Sequence, residues 1–365
     1  MKILLLGDAS NYHATLASGL RRLGHDVTVA SDGNGWMNTR RDIDLSRHPS
    51  RIGGAWLWLR LNSDLAPRLR GYDIVQLCTP FFINLRPERL LTLFDRLRRD
   101  NGRVFLTDLG NTPQYVSMCI DPSSPLRYSE WRNPSISDAL NNPSAQAWLS
   151  TELTGYCGRV YNRVDGVMTA LYEYQLAATT HVPAAKLNYL GIPVDLDTLP
   201  PPLTHRGKVR ILSAYDRSRA DHKGAKVLGD MAAKIVEKHP DKCELIEVCN
   251  LPYSQFLDTL AHADIVLDQL YSYTPATTAL LTMAIGGVSV SGGEEEYYRF
   301  IGEKNLRPVV NANPLDISTT AREIERLITD KELLEEKKRQ GREFVELYHS
   351  ADALALRCLD IWTAY

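Results

Sequence analysis

Lys208-Val209-Arg210-Ile211-Leu212-Ser213-Ala214-Tyr215-Asp216-Arg217-Ser218-Arg219-Ala220-Asp221-His222-Lys223-Gly224 begins as an apolar strand, passes through a loop crowded with charge, and runs into a helix predicted over 224–238. It starts just after Pro200-Pro201-Pro202, a stiff segment that continues neither helix nor strand. A strand–loop–helix unit that restarts there divides the chain into two α/β domains. Downstream the alternation persists, with strands predicted at 243–248, 264–268, 287–290 and 307–310 and helices at 253–262, 275–285, 318–329, 331–347 and 351–363. Upstream it has the same form: strand 2–7, helix 12–23 with Leu16, Leu20 and Leu23 at helical spacing, strand 25–30, strand 73–78, helix 87–99 opened by Pro87, and strand 103–107. A helix near 151–163 and strands at 166–170 and 187–190 complete the first half. Strands that alternate with helices make parallel sheets with right-handed crossovers.

Residues 108–150 break this rhythm, with Pro113, Pro122, Pro125, Pro134 and Pro143 among many Asn and Ser; a loop this long, directly after the carboxyl end of a strand, is expected to be functional or mobile. The 365 residues suit two domains, and 44% hydrophobic with 24% charged residues excludes disorder or a fibre. A net charge of −2 excludes a strongly basic nucleic-acid binder. The N-terminus lacks the long apolar region of a signal peptide and no apolar run reaches membrane-spanning length, so a cytoplasmic location is expected. The six cysteines, widely spaced and with no histidine at zinc-site spacing, are expected to be buried thiols. The first 198 residues hold 19 arginines, clustered at Arg21-Arg22, Arg40-Arg41, Arg47, Arg51 and Arg96 to Arg99. Such clusters are commonly solvated faces; as a basic face they would give weak peripheral contact with an anionic membrane.

Ligands of open parallel sheets bind beyond the carboxyl ends of the strands. Three segments fall there. In the first, Arg217, Arg219 and Lys223 stand just before a helix N-terminus, which favours anions such as a diphosphate. In the second, Tyr271 to Ala284, Thr274 is read as an N-cap with Pro275 at the first helical position, and Thr277 and Thr278 offer hydroxyls to a phosphate. The third, Gly7-Asp8-Ala9-Ser10-Asn11-Tyr12-His13, is a tight turn without the three-glycine spacing of a dinucleotide site. Glu294-Glu295-Glu296, after a strand and two glycines, reads as a solvated turn. Asp42-Ile43-Asp44 and Asp195-Leu196-Asp197 have a metal-binding spacing but stand where no metal is needed.

Taken in order along nearly the whole chain, these motifs resemble the GT-B glycosyltransferases, and most closely glycosyltransferase family 4. The resemblance rests on Met1 to Gly7 with Gly24-His25-Asp26-Val27-Thr28-Val29, on Tyr72-Asp73-Ile74-Val75, and on Lys186 to Asp195, similar to the family's Asn-Gly-(Ile/Val)-Asp element. His222-Lys223-Gly224 looks like the Lys-Gly that grips the donor diphosphate, and Ala261 to Leu267 like the strand entering the donor site. Leu280 to Gly287 lies where the family has Leu-Glu-Ala-Met-Ala-x-Gly. The family's two glutamates fall here on Thr274 and Thr282, and its His-Asp on Thr107-Asp108. A threonine offers one hydroxyl where a carboxylate accepts from both ribose hydroxyls, so a ribose clamp is not expected.

The resemblance implies two doubly wound Rossmann-like domains facing a central cleft: an acceptor-side domain over 1–199, a linker over 200–207, a donor domain over 208–350, and a helix at 351–365 crossing back to the first domain. It implies transfer of a sugar, with retention, from a nucleotide-sugar donor to a saccharide or lipid-linked acceptor in surface polysaccharide or glycoconjugate synthesis. Arg217, Lys223 and Asp108 are the expected catalytic residues. Gly7, Asp8, Thr274, Thr277, Thr278, Thr282 and Glu294 are expected to bind the donor. No metal or cofactor is expected. A nucleotide-sugar epimerase, or a non-catalytic glycosyltransferase-like subunit, would use the same fold.

Overall fold

The computed structural model describes residues 1–134, 141–201 and 207–365, and they fall into two units. The first unit combines Met1–Ser117, Gln146–Asp195 and Ala351–Tyr365. Its strands are β1 (Lys2–Leu6), β2 (Asp26–Ser31), β3 (Ile43–Asp44), β4 (Ile74–Leu77), β5 (Arg103–Asp108), β6 (Gly166–Thr169) and β7 (Leu187–Tyr189). They form one parallel sheet in the order β3-β2-β1-β4-β5-β6-β7. The apolar runs Ile3–Leu6 and Val104–Leu106 are wholly buried, as strands covered on both faces require. The helices are α1 (Tyr12–Arg22), α2 (Arg51–Asn62), α3 (Pro87–Asp100), α4 (Pro113–Ile120), α5 (Pro143–Trp148), α6 (Thr151–Arg163) and α7 (Tyr172–Ala178). The division between the units falls inside α4, and another division falls inside α5.

The stretch read as an irregular loop over 108–150 therefore holds two helices. Pro113 and Pro143 each open one, at the position where a missing N–H does no harm. Within that stretch, residues 135–140 lie outside the described residues, as do 202–206 of the segment read as the linker. Residues 118–145 and 196–199, read as first-domain sequence, cluster with the second unit.

The second unit has β8 (Val209–Tyr215), β9 (Cys243–Cys249), β10 (Ile265–Leu267), β11 (Val288–Ser291) and β12 (Val310–Asn311), parallel in the order β12-β11-β10-β8-β9. The last strand starts three residues later than the predicted 307–310; Arg307 instead reaches Glu295 at 2.7 and 2.9 Å. The helices are α8 (Ala220–Lys223), α9 (Ala225–Lys238), α10 (Tyr253–Ala261), α11 (Thr277–Ile285), α12 (Glu295–Ile301), α13 (Ile317–Thr329) and α14 (Lys331–Tyr348). Gly224 separates α8 from α9 at φ 67°, and a Cβ there would lie 2.8 Å from that of Leu270, so a side chain is excluded twice over. The final helix, α15 (Ala351–Thr363), packs on α1 in the first unit: a Cβ on Gly19 would stand 2.3 Å from the Ala351 carbonyl oxygen, and Arg22 binds both Asp195 and Asp352. All six cysteines are free thiols; five are buried and Cys249 is half-buried, so the expectation of six buried thiols is corrected at that position.

Candidate functional site

In the second unit the strand order reverses between β8 and β10, and the two segments that leave their carboxyl ends meet there. Lys223, at the end of α8, places its ammonium 2.9 Å from Oδ1 of Asp268, the residue after β10. Asp268 is buried, and its other oxygen accepts from the Ser291 hydroxyl at the end of β11, at 2.9 Å. The backbone N–H of Leu270 donates to the Lys223 carbonyl at 2.9 Å, which ties the two segments together again. An ammonium has three donors and Asp268 takes one, so this lysine is held in place while two donors stay available. Arg217 lies on the same loop, exposed; its backbone N–H bonds Asn250 at 3.0 Å and its guanidinium forms no ion pair among the described residues. Arg219 reaches Glu130 at 3.7 Å.

A second cluster surrounds Glu294, next to β11 and β12. Gly292 lets the chain pass where a Cβ would lie 2.3 Å from the Ser272 carbonyl, and Gly293 N–H bonds the Asn311 side chain at 3.0 Å. The buried Glu294 carboxylate accepts from Arg127 at 2.6 Å, from Asn311 at 2.9 Å and from the Tyr128 hydroxyl. Burial alone would raise its pKa, but the bonds from Asn311, Tyr128 and Arg127 prevail and hold it below the usual carboxylate range. Burial and the neighbouring carboxylate together push the Tyr128 hydroxyl well above its ordinary value. Tyr128 stacks on Tyr273, ring centroids 4.7 Å apart, and the backbone N–H of Arg127 donates to the Tyr273 hydroxyl at 2.5 Å. Glu296 completes the ring of charge, 3.0 Å from Arg127. The acidic triplet is thus no solvated turn: Glu294 is built into the sheet edge.

The threonines are placed differently from expectation. Helix α11 begins at Thr277 with Ala276 as its cap, and no side chain caps it. Thr274 is buried outside the helix, where its N–H faces the Ser272 hydroxyl at 3.3 Å. Ala276, at φ −95° and ψ −169°, is still extended, so the helix begins two residues beyond Pro275 and Thr274 lies outside its cap. Thr277 and Thr278 occupy the first turn, half-buried. Thr282 is buried one turn further on and gives its hydroxyl to the Thr278 carbonyl at 2.8 Å; it is not gathered with Lys223 or Glu294.

In the first unit, Gly7 and Asp8 leave β1 at the point where that sheet's order reverses, between β1 and β4. They line a cavity of about 350 Å³ together with Asp32, Cys78, Phe82 and Asn84. Gly7 is required at φ 80°, 2.6 Å from the Phe82 carbonyl as measured from the Cβ it lacks. Asp8 accepts the His13 backbone N–H at 2.9 Å, and burial raises its pKa. His13 donates from Nδ1 to the Gly7 carbonyl at 2.7 Å; burial lowers its pKa to about 4, so it stays neutral. Asp108 ends β5, buried, with Oδ2 bound to the Tyr161 hydroxyl at 2.9 Å and Oδ1 without a partner. Burial raises its pKa to about 7 against the opposing Tyr161 bond. Sequence reading missed Asp268, Arg127, Tyr128 and Asn311; only Asp268, as the end of an apolar strand, carried a local signal.

A cavity of about 1280 Å³ in the second unit opens at the other, amino ends of the strands, beside Val209, Asp264 and Gly286. Its Lys338 is already bound to Asp264 at 2.7 Å. The sheet edge carrying Lys223 is the better candidate, because helix N-termini and unspent positive charge meet there. Among the described residues no group of His, Cys, Asp and Glu could hold a metal ion, and no helix is long and apolar enough to cross a membrane.

No family model matches the chain, and no curated protein does. Solved structures do match. A sucrose-phosphate synthase from Thermosynechococcus elongatus superposes with a TM-score of 0.61 at 12% identity, over 100% of this chain and 99% of that one. Anabaena HepE, in complex with UDP-glucose, gives 0.59 at 12% identity over 100% of both chains. A Listeria monocytogenes protein described as a UDP-N-acetylglucosamine 2-epimerase gives 0.56 at 12% identity over 98% and 94%. The fold is that of the GT-B glycosyltransferases, two Rossmann-like α/β units. At such identities the likeness defines the fold and leaves the reaction to the site.

Proposed function

We propose that this protein is a glycosyltransferase of the family 4 type, moving a sugar from a nucleotide-sugar donor to a saccharide or lipid-linked acceptor in surface polysaccharide or glycoconjugate synthesis. The observation that carries the reading is Lys223, anchored by Asp268 at the switch point of the second sheet, with the unpaired Arg217 on the same loop. In the transfer, the bond from the anomeric carbon to the diphosphate breaks, a bond to an acceptor oxygen forms, and that oxygen loses its proton. Charge develops on the leaving diphosphate, where preorganised cations and a helix N-terminus stabilise the transition state most. On this reading Lys223, Arg217 and the first turn of α11, with Thr277 and Thr278, receive the diphosphate without a metal. Asp108 is the carboxyl group on the acceptor side, and transfer proceeds with retention. The protein works in the cytoplasm, in weak contact with the inner membrane face.

The test is a thermal-shift screen against nucleotide sugars, followed by turnover with and without acceptor. Stabilisation by one donor and acceptor-dependent release of nucleoside diphosphate are expected, and full activity in chelator. Donor conversion without any acceptor would favour the epimerase reading that the third fold neighbour suggests; no donor binding at all would leave a non-catalytic subunit. Because Thr282 spends its hydroxyl inside α11, the nucleotide is held mainly by its diphosphate. Ribo and 2′-deoxyribo diphosphates of the best base should therefore differ less than about tenfold in affinity by calorimetry, the loss that one missing charged hydrogen bond would bring.

A further inference from the structure

Helix α2 buries Gly54, Leu57 and Leu61 against the first unit, yet its opposite face is also apolar. Ile52, Trp56 and Leu59 recur at four- and three-residue spacing and are 81%, 62% and 57% exposed. A helix with apolar side chains on both faces is expected in a core or at a lipid surface, and tryptophan favours the membrane–water boundary. Directly at the start of this helix lies a pocket of about 410 Å³, lined by Arg47, Ser50, Arg51, Asn84, Arg86 and Arg89 among others, with no carboxylate in its lining. None of these four arginines forms an ion pair among the described residues. Arg47 is fixed by the Ser50 carbonyl at 3.1 Å and the Asn84 side chain at 3.0 Å, and its Nε is buried without a partner. Arg89 is fixed by the Gly54 carbonyl at 3.0 Å and lies 5.5 Å over the Trp58 ring. Arg51 and Arg86 are exposed at the first residue of α2 and the residue before α3. The nearest acid in the sequence, Glu88, does not line the pocket.

Four guanidiniums gathered without a counter-charge, two of them pinned by neutral acceptors, repel one another unless an anion sits among them. We propose that this face docks on an anionic bilayer, with Ile52, Trp56 and Leu59 entering the interface and the arginine pocket taking the phosphate of a lipid headgroup. The inference deepens the membrane contact proposed above and names its surface; it does not depend on the donor site.

Flotation of the full chain with vesicles tests it. Binding is expected to phosphatidylcholine mixed with phosphatidylglycerol and to be near background on phosphatidylcholine alone. Arg51→Gln with Arg86→Gln should weaken partitioning roughly fivefold for each charge removed, and Ile52→Ser with Trp56→Ser should weaken it at least tenfold. Removing two exposed arginines away from the pocket, Arg40→Gln with Arg70→Gln, is the control for general surface charge. An equal loss in the control, equal binding to neutral vesicles, or no effect of either the Arg51/Arg86 or the Ile52/Trp56 pair overturns the proposal. All substituted positions are exposed, so unchanged melting temperatures are expected and verify folding. Each variant is also assayed for donor-induced stabilisation. Failed flotation with donor binding intact refutes the docking face alone, whereas failed donor binding with flotation intact refutes the transferase reading alone.

Discussion

Lys223 and Arg217 share a loop but not a structural role, and their substitutions should separate accordingly. Arg217 is exposed and bound to no carboxylate, so Arg217→Ala should lower turnover under donor-limited conditions, by about ten- to a hundredfold for one charge-assisted bond to phosphate, at unchanged stability. Lys223→Ala removes the same kind of bond and also leaves Asp268 buried with only the Ser291 hydroxyl, which should destabilise the protein by about 2 kcal/mol. Adding Asp268→Asn should recover most of that stability and none of the activity; recovery of both would mean that Lys223 is structural. Asp108 makes a pH prediction. Its folded pKa of about 7 stands above the ordinary 3.8, so the folded chain holds a proton that the unfolded chain has lost between those values. Its contribution is therefore complete below about pH 4 and is lost as the pH rises through 7. His13, lowered from 6.5 to about 4, has the opposite slope between those values and masks part of the effect in the wild type. Asp108→Asn keeps the neutral form at every pH, so urea midpoints should show the variant gaining on the wild type by on the order of 2–4 kcal/mol between pH 4 and 8. Parallel profiles would mean that Asp108 ionises freely in the folded protein.

At the scale of elements, the segment from Met118 to Pro134 shows what local sequence can and cannot reveal. Its Arg127 and Tyr128 complete the environment of Glu294 from 167 and 166 positions away, and no periodicity announces such a pairing. The triplet Glu294-Glu295-Glu296 reads as a turn because like charges in sequence normally face water; burial of the first follows only once its three donors are known. Tyr128→Phe removes one of them and should destabilise the protein by about 1–2 kcal/mol, and Arg127→Ala, with its guanidinium half-exposed, by about 1 kcal/mol. Chemical unfolding measures both, and a neutral Tyr128→Phe would show that Asn311 and Arg127 suffice for the carboxylate. The strands and amphipathic helices α1, α3, α9 and α13 were legible because each has one apolar stripe or one apolar run. Helix α2 was not, since apolar residues on both faces erase the helical period, and two-residue β3 is too short to have one. Thr274 misled for a third reason: Pro275 suits the first helical position, yet Ala276 is still extended and the helix begins only at Thr277.

Across the whole molecule, two α/β halves could be read from the restart of the pattern after the prolines, but the composition of each unit could not. The first unit takes in α15 from the far end of the chain, and the second takes in residues 118–145, because burial is satisfied by long-range partners that chain order does not show. The last helix allows a decisive measurement. Trp362 is buried, and its indole N–H donates to Oε1 of the buried Gln76 on β4 at 3.0 Å, while Gln76 Nε2 donates to Thr107 on β5 at 2.6 Å. Trp362→Phe leaves the Gln76 carbonyl oxygen buried without its donor and a small gap beside it, which should cost about 2–4 kcal/mol. If the unpaired amide rather than the lost volume dominates, Gln76→Leu in the Trp362→Phe background should restore at least about 1 kcal/mol, although Gln76→Leu alone destabilises by orphaning the indole. Unfolding midpoints of the four proteins form a double-mutant cycle, and a coupling energy near zero would show that α15 is held on the sheet by packing alone, through Gly19 against Ala351 and through the bonds of Arg22 to Asp195 and Asp352.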